Sequence, residues 1–283
     1  MQAVSSATRA IDCHVHVIGD GVTYPYVGVP TYEIRPAPLG DLIALYDRWQ
    51  IGHAVLVQIS VHGTDNSLML DAMRQGEGRF RGVVVVDQAA NDALLTTLKE
   101  AGIVGLRLNL THGGGPGLAA LERYAAICRD MDWHLQLYID GRNLVELAPR
   151  LSGLQVPLVF DHFGGVPTSC GVEHPAFQTL LAMARDGAWV KLTGPYRISS
   201  QLHGFRDVIP YGQALMQTAP TRCLWGTDWP HVASDHQEID LGALLKLVPV
   251  MAGSDAAVDA LMFANAERLY GFQPAADAGR ARV

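Results

Sequence analysis

Residues 53–87 read HAVLVQISVHGTDNSLMLDAMRQGEGRFRGVVVVD. The two ends, HAVLVQIS (53–60) and RGVVVVD (81–87), are short runs of branched apolar residues bounded by turn formers, as buried strands are. Between them, residues 67–76 carry helical spacing. A strand, a helix and a second strand in that order predict parallel pairing through a right-handed crossover, because so long a connection is not a hairpin.

The same unit repeats in both directions. Further strand candidates are IDCHVHV (11–17), IVGLRLNL (103–110), WHLQLYI (133–139), PLVFDH (157–162), AWVKLTG (188–194) and RCLWGTD (222–228). Helical spacing recurs at 39–49, 92–101, 118–131 and 177–186, and after the eighth strand at 241–250 and 255–270. Eight units in 283 residues predict an α/β fold, a single-domain (β/α)8 TIM barrel spanning 1–283, with frayed ends near 1–10 and 274–283. An open doubly wound sheet is the competitor, but no G-x-G-x-x-G follows the first strand. The glycine-rich THGGGPG (111–117) follows the fourth strand without the Lys of a phosphate loop, and predicts a loop over the barrel mouth. The stretch 19–38 holds four prolines and three tyrosines, which fits an ordered lid or subunit-contact loop as well as a mobile one.

Composition narrows the function. With 21 Lys and Arg against 28 Asp and Glu, a net charge of -7 and no basic cluster, the chain lacks a nucleic-acid footprint. No run approaches 18 apolar residues and the start lacks a signal-peptide pattern, so no membrane partner is expected. Cys13, Cys128, Cys170 and Cys223 show no C-x-x-C pairing, so the expectation is a soluble protein of the reducing cytoplasm, with homo-oligomer formation left open.

Side chains alternate across a strand. Sorted by parity, Asp12, His14 and His16 oppose Cys13, Val15 and Val17, and Gln58, Ser60 and His62 oppose Val55, Val57 and Ile59. Likewise Arg107 and Asn109 oppose Leu106, Leu108 and Leu110; His134, Gln136 and Tyr138 oppose Leu135, Leu137 and Ile139; Lys191 and Thr193 oppose Val190 and Leu192. The side of a barrel strand under the helices must be apolar, so the polar stripe is expected inside. His16, Ser60, Asn109, Tyr138, His162, Thr193 and Asp228 then fall on the C-terminal rim, where barrel enzymes place their chemistry.

His14 and His16 alone say little, since eleven histidines in this length give roughly 0.4 H-x-H pairs by chance. Their distant partners matter more: His162 in VFDHFGG and Asp228 in WGTDWPH close the sixth and eighth strands. Three imidazoles and one carboxylate suit one divalent ion, Zn2+ or Mn2+, and no Lys or Glu ends the fourth or fifth strand to bridge a second. The same imidazoles also suit direct binding of a substrate. Arg107 reads either as a carboxylate clamp or as an internal ion pair with Asp12 or Asp161. Arg197 reads as an anion contact or a solvated surface group. Lys191 is inward by parity, on a stem long enough to reach water. Tyr138, Ser60, His62 and Asn109 are candidate hydrogen-bond partners of a substrate.

DCHVHVIGD, DHFGG and WGTDWPH, with GLRLNL and VKLTGPYRIS, resemble the amidohydrolase superfamily, and within it the lactonase branch that acts on pyrone dicarboxylate, sulfomuconolactone and sugar-acid lactones. The resemblance runs from about Ile11 to Tyr270. It implies a rim site that opens a cyclic ester with water, in which His14, His16, His162 and Asp228 are the catalytic set and the ligands of any single metal ion. Tyr138 stands where metal-binding members of the superfamily carry histidine, and Arg107 and Arg197 match substrate-binding arginines. The branch is divided between metal-independent and Zn2+-binding members. Basic residues of the pyrone pattern are replaced here by THGGG and GGVP, so a monoanionic or less charged lactone is expected as the small-molecule partner. The expected chemistry is water attack with Asp228 as general base and then acid. The alternatives are a Zn2+-dependent decarboxylase of the same superfamily, a lactone isomerase, or a binding protein without catalysis.

Overall fold

The computed structural model describes residues 10–27, 31–234 and 239–272. Eight parallel strands run in the order β1 (Ala10–Val15), β2 (Ile51–Val57), β3 (Phe80–Val84), β4 (Ile103–Asn109), β5 (His134–Tyr138), β6 (Leu158–Phe160), β7 (Trp189–Leu192) and β8 (Cys223–Trp225). Each pairs in parallel with its sequence neighbour, and β8 returns to β1. The return is stitched at the rim: the Asp228 N–H donates to the His14 carbonyl at 2.8 Å and the His16 N–H to the Trp229 carbonyl at 2.9 Å. This is the (β/α)8 barrel that the strand–helix alternation predicts.

The helices are α1 (Leu39–Trp49), α2 (Ser67–Gln75), α3 (Asp92–Glu100), α4 (Leu121–Met131), α5 (Leu144–Ser152), α6 (Pro175–Arg185), α7 (Ile209–Thr218) and α8 (Leu241–Ala252). After them come α9 (Asp255–Asp259), a π turn over Ala260–Ala264, and α10 (Asn265–Tyr270). Two of these, α5 and α7, are absent from the periodicity reading. Pro149 lies inside α5 and Gly212 inside α7, and both residue types ordinarily argue against a helix interior.

The apolar residues divide into two layers. Leu56, Leu106, Leu108, Leu135, Leu137 and Val190 pack outward under the helices. Ile11, Cys13, Val55, Val57, Val83, Val159, Trp189 and Leu224 fill the lower interior, with Tyr270 and Phe272 from the last helix and its exit packed against them. The core is therefore apolar at the floor and polar toward the C-terminal rim.

This division corrects the parity reading in two strands. In β1 the register slips between Asp12 and Val15, so Cys13 and His14 both face inward, while Asp12 turns out to accept from Tyr46 Oη of α1 at 3.0 Å. In β2 it is Val55 and Val57 that line the interior; the Gln58 side chain leaves the strand line to donate to the carbonyls of Gly63 and Asp65. The polar stripe of β4, β5 and β7 does face inward.

The proline-rich stretch after β1 is tied down. Ile18 and Ala37 exchange backbone hydrogen bonds of 3.0 and 2.9 Å, closing its neck, and with Ile59 and Val61 they form a small apolar cluster. Tyr24 Oη donates to Asp71 and Tyr26 Oη to the Gly19 carbonyl, so the stretch is a strap across one side of the mouth. Residues 28–30 within it lie outside the described residues, as do the ends expected to fray near 1–10 and 274–283, except that Ala10 is buried at the start of β1.

Candidate active site

Four residues from three places on the rim converge. The slip in β1 aims both His14 and His16 at the barrel axis. His162 follows β6 with φ +50, a left-handed conformation that turns its ring in beside the Asp161 carboxylate that alternation already places there. Asp228, beyond β8, has φ +61. Two glycines make the approach possible. A Cβ on Gly226 would lie 2.8 Å from the His14 backbone N, and one on Gly194 would lie 2.7 Å from Asp228 Oδ2 and 2.8 Å from His162 Nδ1.

The two oxygens of Asp228 are used differently. Oδ2 accepts from Arg197 Nε at 2.6 Å and from Tyr196 Oη at 2.5 Å. Oδ1 lies 3.7 Å from His14 Nε2 and 3.8 Å from His16 Nε2, and among the described residues neither Oδ1 nor His14 Nε2 has a hydrogen-bond partner, although both are fully buried. Burial opposes ionisation of Asp228, but the Arg197 guanidinium and the surrounding imidazoles outweigh it and hold the carboxyl well below its ordinary value. Burial also keeps the imidazoles neutral: His16 is pushed down to about 3 and His162 to about 4, and His14 lies well below its ordinary value.

Neutral rings held at Nδ1 leave Nε2 as a lone-pair donor. His16 Nδ1 donates to the Val57 carbonyl at 2.7 Å, and His162 Nδ1 stands 3.3 Å from the Thr193 carbonyl. The donor set fits a cation on this evidence. Two overlapping triads, His14–His16–Asp228 and His14–Asp161–His162, each bring one ligand atom per residue within 4.8 Å of the others. In the second, Asp161 already lies against Arg107 and Lys191, which repel a further cation. The first, with its two buried unpaired atoms, is the better cradle, and the Nε2 of His162 lies on the same rim.

The remaining expected residues sort by what they touch. Arg107 is buried and donates Nε and Nη2 to Asp161 Oδ2 at 3.3 and 3.2 Å and Nη1 to the Gln58 carbonyl, the internal ion pair of the two readings. Arg197, with its side chain 7% exposed, is not a solvated surface group; besides Asp228 it donates Nη2 to the Val232 carbonyl at 3.0 Å. The Tyr138 ring stacks edge-on to His162 at 4.8 Å between centroids and lies under both guanidiniums. Ser60 Oγ pairs with Tyr32 Oη at 2.8 Å at the mouth. Asn109 Oδ1 accepts from the backbone of Thr111 and His112, shaping the glycine-rich loop. His62 is not brought to the four: its Nε2 accepts from the Gly19 N–H at 3.2 Å and its Nδ1 faces the Pro25 carbonyl, pinning the strap. Lys191 does not reach water. It is fully buried, donates to Gln136 Oε1 at 2.7 Å, and is pulled by burial down to about 8.

Four residues escaped the sequence reading as site residues. Tyr196 lies past the end of β7, after the left-handed Gly194, where strand parity gives no direction. Asp161 entered only as a partner for Arg107, and Gln136 only as an inward polar group. His231, in the WPH of the eighth-strand turn, reaches Tyr196 Oη through Nδ1 at 3.2 Å.

A cavity of about 680 Å³, lined by Tyr32, Arg35, His112, His231 and Ser234 among others, reaches the site through His231 and is not lined by the four themselves. Another of about 710 Å³ lies on the opposite, N-terminal face around Arg81, Lys99 and Arg268, away from these groups. The first is of a size that takes a small ring compound, and its His231 touches Tyr196, the partner of Asp228.

Sequence comparison agrees with this geometry. The chain is 35% identical over 268 residues to a 4-sulfomuconolactone hydrolase of Rhizobium radiobacter, covering 93% of this chain and 90% of the relative. It is 32% identical over 275 residues to a 2-pyrone-4,6-dicarboxylate hydrolase of Comamonas testosteroni, covering 92% and 90%. In structure it matches a probable 2-pyrone-4,6-dicarboxylic acid hydrolase of Acinetobacter baumannii with bound citric acid, at a TM-score of 0.82 and 28% identity over 93% of this chain and all of that one. The amidohydrolase family profile covers residues 11–272, from β1 to the exit of the last helix, and the chain belongs to that family.

Proposed function

We propose that this protein is a lactone hydrolase acting on a small anionic lactone, with Asp228 as the group that takes a proton from the attacking water. The observation that carries the proposal is the division of labour in the Asp228 carboxylate: Oδ2 is fixed by Arg197 and Tyr196, while Oδ1 is buried, unpaired and faces the Nε2 atoms of His14 and His16. A carboxylate held by one oxygen presents the other at a fixed angle, which is what positioned proton transfer needs.

His14, His16 and His162 are the residues that would hold a Zn2+ or Mn2+ ion together with Asp228. Such an ion supplies Lewis acidity, polarising an ester carbonyl and making water more acidic. The protein's own groups do the rest. Oδ1 receives the water proton as the carbonyl carbon is attacked. It returns that proton to the ring oxygen when the C–O bond breaks, giving a hydroxy acid. Tyr138, packed against His162, and His112 and His231 at the mouth are placed to border the substrate.

Counting Arg107, Arg197 and Lys191 against Asp161 and Asp228, the inner site carries one net positive charge with the imidazoles neutral. That balance, to which a bound divalent ion would add two charges, supports an anionic substrate. The test is turnover of a panel of carboxylated lactones by protein of measured metal content, before and after chelation. Ring opening that is lost on chelation and restored by one equivalent of Zn2+ or Mn2+ supports the reading; absence of ring opening across the panel in the metal-loaded protein rejects it.

A further inference from the structure

We infer that Asp161 is a positioning residue that fixes the tautomer of His14, and so decides whether all three histidines present lone pairs to the reacting centre; the inference rests on the lactonase reading above. His16 and His162 have no choice. Each aims Nδ1 at a backbone carbonyl, Val57 or Thr193, and a carbonyl oxygen only accepts, so the proton stays on Nδ1.

His14 is different, because its Nδ1 meets two side chains of opposite chemistry. Asp161 Oδ1, an acceptor, lies at 3.1 Å, and Lys191 Nζ, a donor, lies at 3.5 Å. If Asp161 prevails, the proton sits on Nδ1 and Nε2 offers a lone pair toward Asp228 Oδ1. If Lys191 prevails, the proton moves to Nε2 and the ring offers an N–H there instead. The two outcomes are a cation ligand and a carbonyl donor.

The surroundings decide between them. Asp161 Oδ2 is occupied by Arg107 Nε and Nη2 and by Gln136 Nε2 at 3.1 Å, whereas Oδ1 is a buried acceptor left without a regular hydrogen bond, 3.1 Å from His14 Nδ1 and open to its N–H. Lys191 already donates at 2.7 Å to Gln136 Oε1 and lies 3.6 Å from Asp161 Oδ1, so its ammonium serves the carboxylate as well as the ring. The whole layer of Arg107, Gln136 and Lys191 holds Asp161 in place with one oxygen turned to His14. A carboxylate behind a ligating histidine fixes ring orientation and raises its basicity, and losing one typically costs 10–100-fold in metal affinity or activity.

The test reads the tautomer directly. Long-range 1H–15N spectra of labelled protein, with the His14 signals assigned by their loss in H14Q, are expected to show the Nδ1–H form in the wild type and in K191M, and a shift toward Nε2–H in D161N. Titration with Zn2+ alone is expected to weaken about 10–100-fold in D161N relative to wild type. An Nε2–H tautomer in the wild type overturns the inference, and so does a D161N variant that keeps Nδ1–H and full Zn2+ affinity. Should D161N not fold, the wild-type and K191M spectra decide. If no lactone is opened while the His14 tautomer still follows Asp161, the reading of the reaction falls and the role of Asp161 stands.

Discussion

Arg197 Nε lies 2.6 Å from Asp228 Oδ2, so the arginine of the GPYRIS segment is engaged with the protein's own carboxylate. With Arg107 bound in the same way to Asp161, both arginines matched to substrate binding act on acids of the barrel. They shape the site from within.

Replacing Asp228 by Asn keeps the shape and removes the proton acceptor. The expected result is a fall in kcat of more than 10²-fold, the usual scale for a positioned acid–base group. Steady-state kinetics on the best lactone of the panel, with a thermal melt as control for folding, checks it; near-full turnover would remove Asp228 from the mechanism.

For Arg197→Lys the split between kinetic constants is informative. A lysine keeps the charge but not the geometry of Nε and Nη2, which bridge Asp228 and the Val232 carbonyl. Misaiming of Oδ1 is expected to lower kcat by about 10²-fold with little change in KM. A rise in KM at constant kcat, larger for anionic than for neutral lactones, would instead place the guanidinium on the substrate.

Gly194 should tolerate no side chain. With φ +55 and a Cβ position 2.7 Å from Asp228 Oδ2 and 2.8 Å from His162 Nδ1, Gly194→Ala must displace one or both. Loss of most activity, accompanied by a destabilisation of about 1 kcal/mol or more from the backbone strain, is the expected outcome. Turnover and a urea titration measure the two separately.

Stability should fall on the acid side of neutrality. Burial lowers His16 and His134 to about 3 and His112, His162 and His231 to about 4 in the folded protein. As pH drops below about 6.5, the unfolded chain therefore takes up protons that the folded one refuses, and stability is lost progressively from there down to about 4. Asp12, raised by burial to about 6, acts in the opposite sense, losing stability as pH rises between about 4 and 6. Five imidazoles outweigh one carboxyl, so Tm is expected to decrease from pH 7 to pH 4; calorimetric scans across that range in metal-free protein provide the check.

What the sequence makes legible follows from how local the signal is. The eight strands are apolar runs with turn residues at their ends, and such signals survive into the fold. Parity works where a strand is regular, as in β5, and fails in β1, where a slip between Asp12 and Val15 puts Cys13 and His14 on the same side. His162 and Asp228 were found by chemistry and by resemblance, since their left-handed backbones leave no trace in periodicity. Tyr196 and the pairing of Asp161 with His14 depend on where loops and neighbouring strands arrive, which is long-range information.

Tyr270 and Phe272 pack in the lower interior beside residues of the first two strands, and α10 touches β1. The barrel floor is thus completed by some of the last described residues together with some of the first. During synthesis the floor stays open to water until the segment through Phe272 has left the ribosome. A stalled or clipped product ending before α10 would expose Ile11, Val55 and Trp189 together, which makes α10 a condition for the His14 region to remain folded.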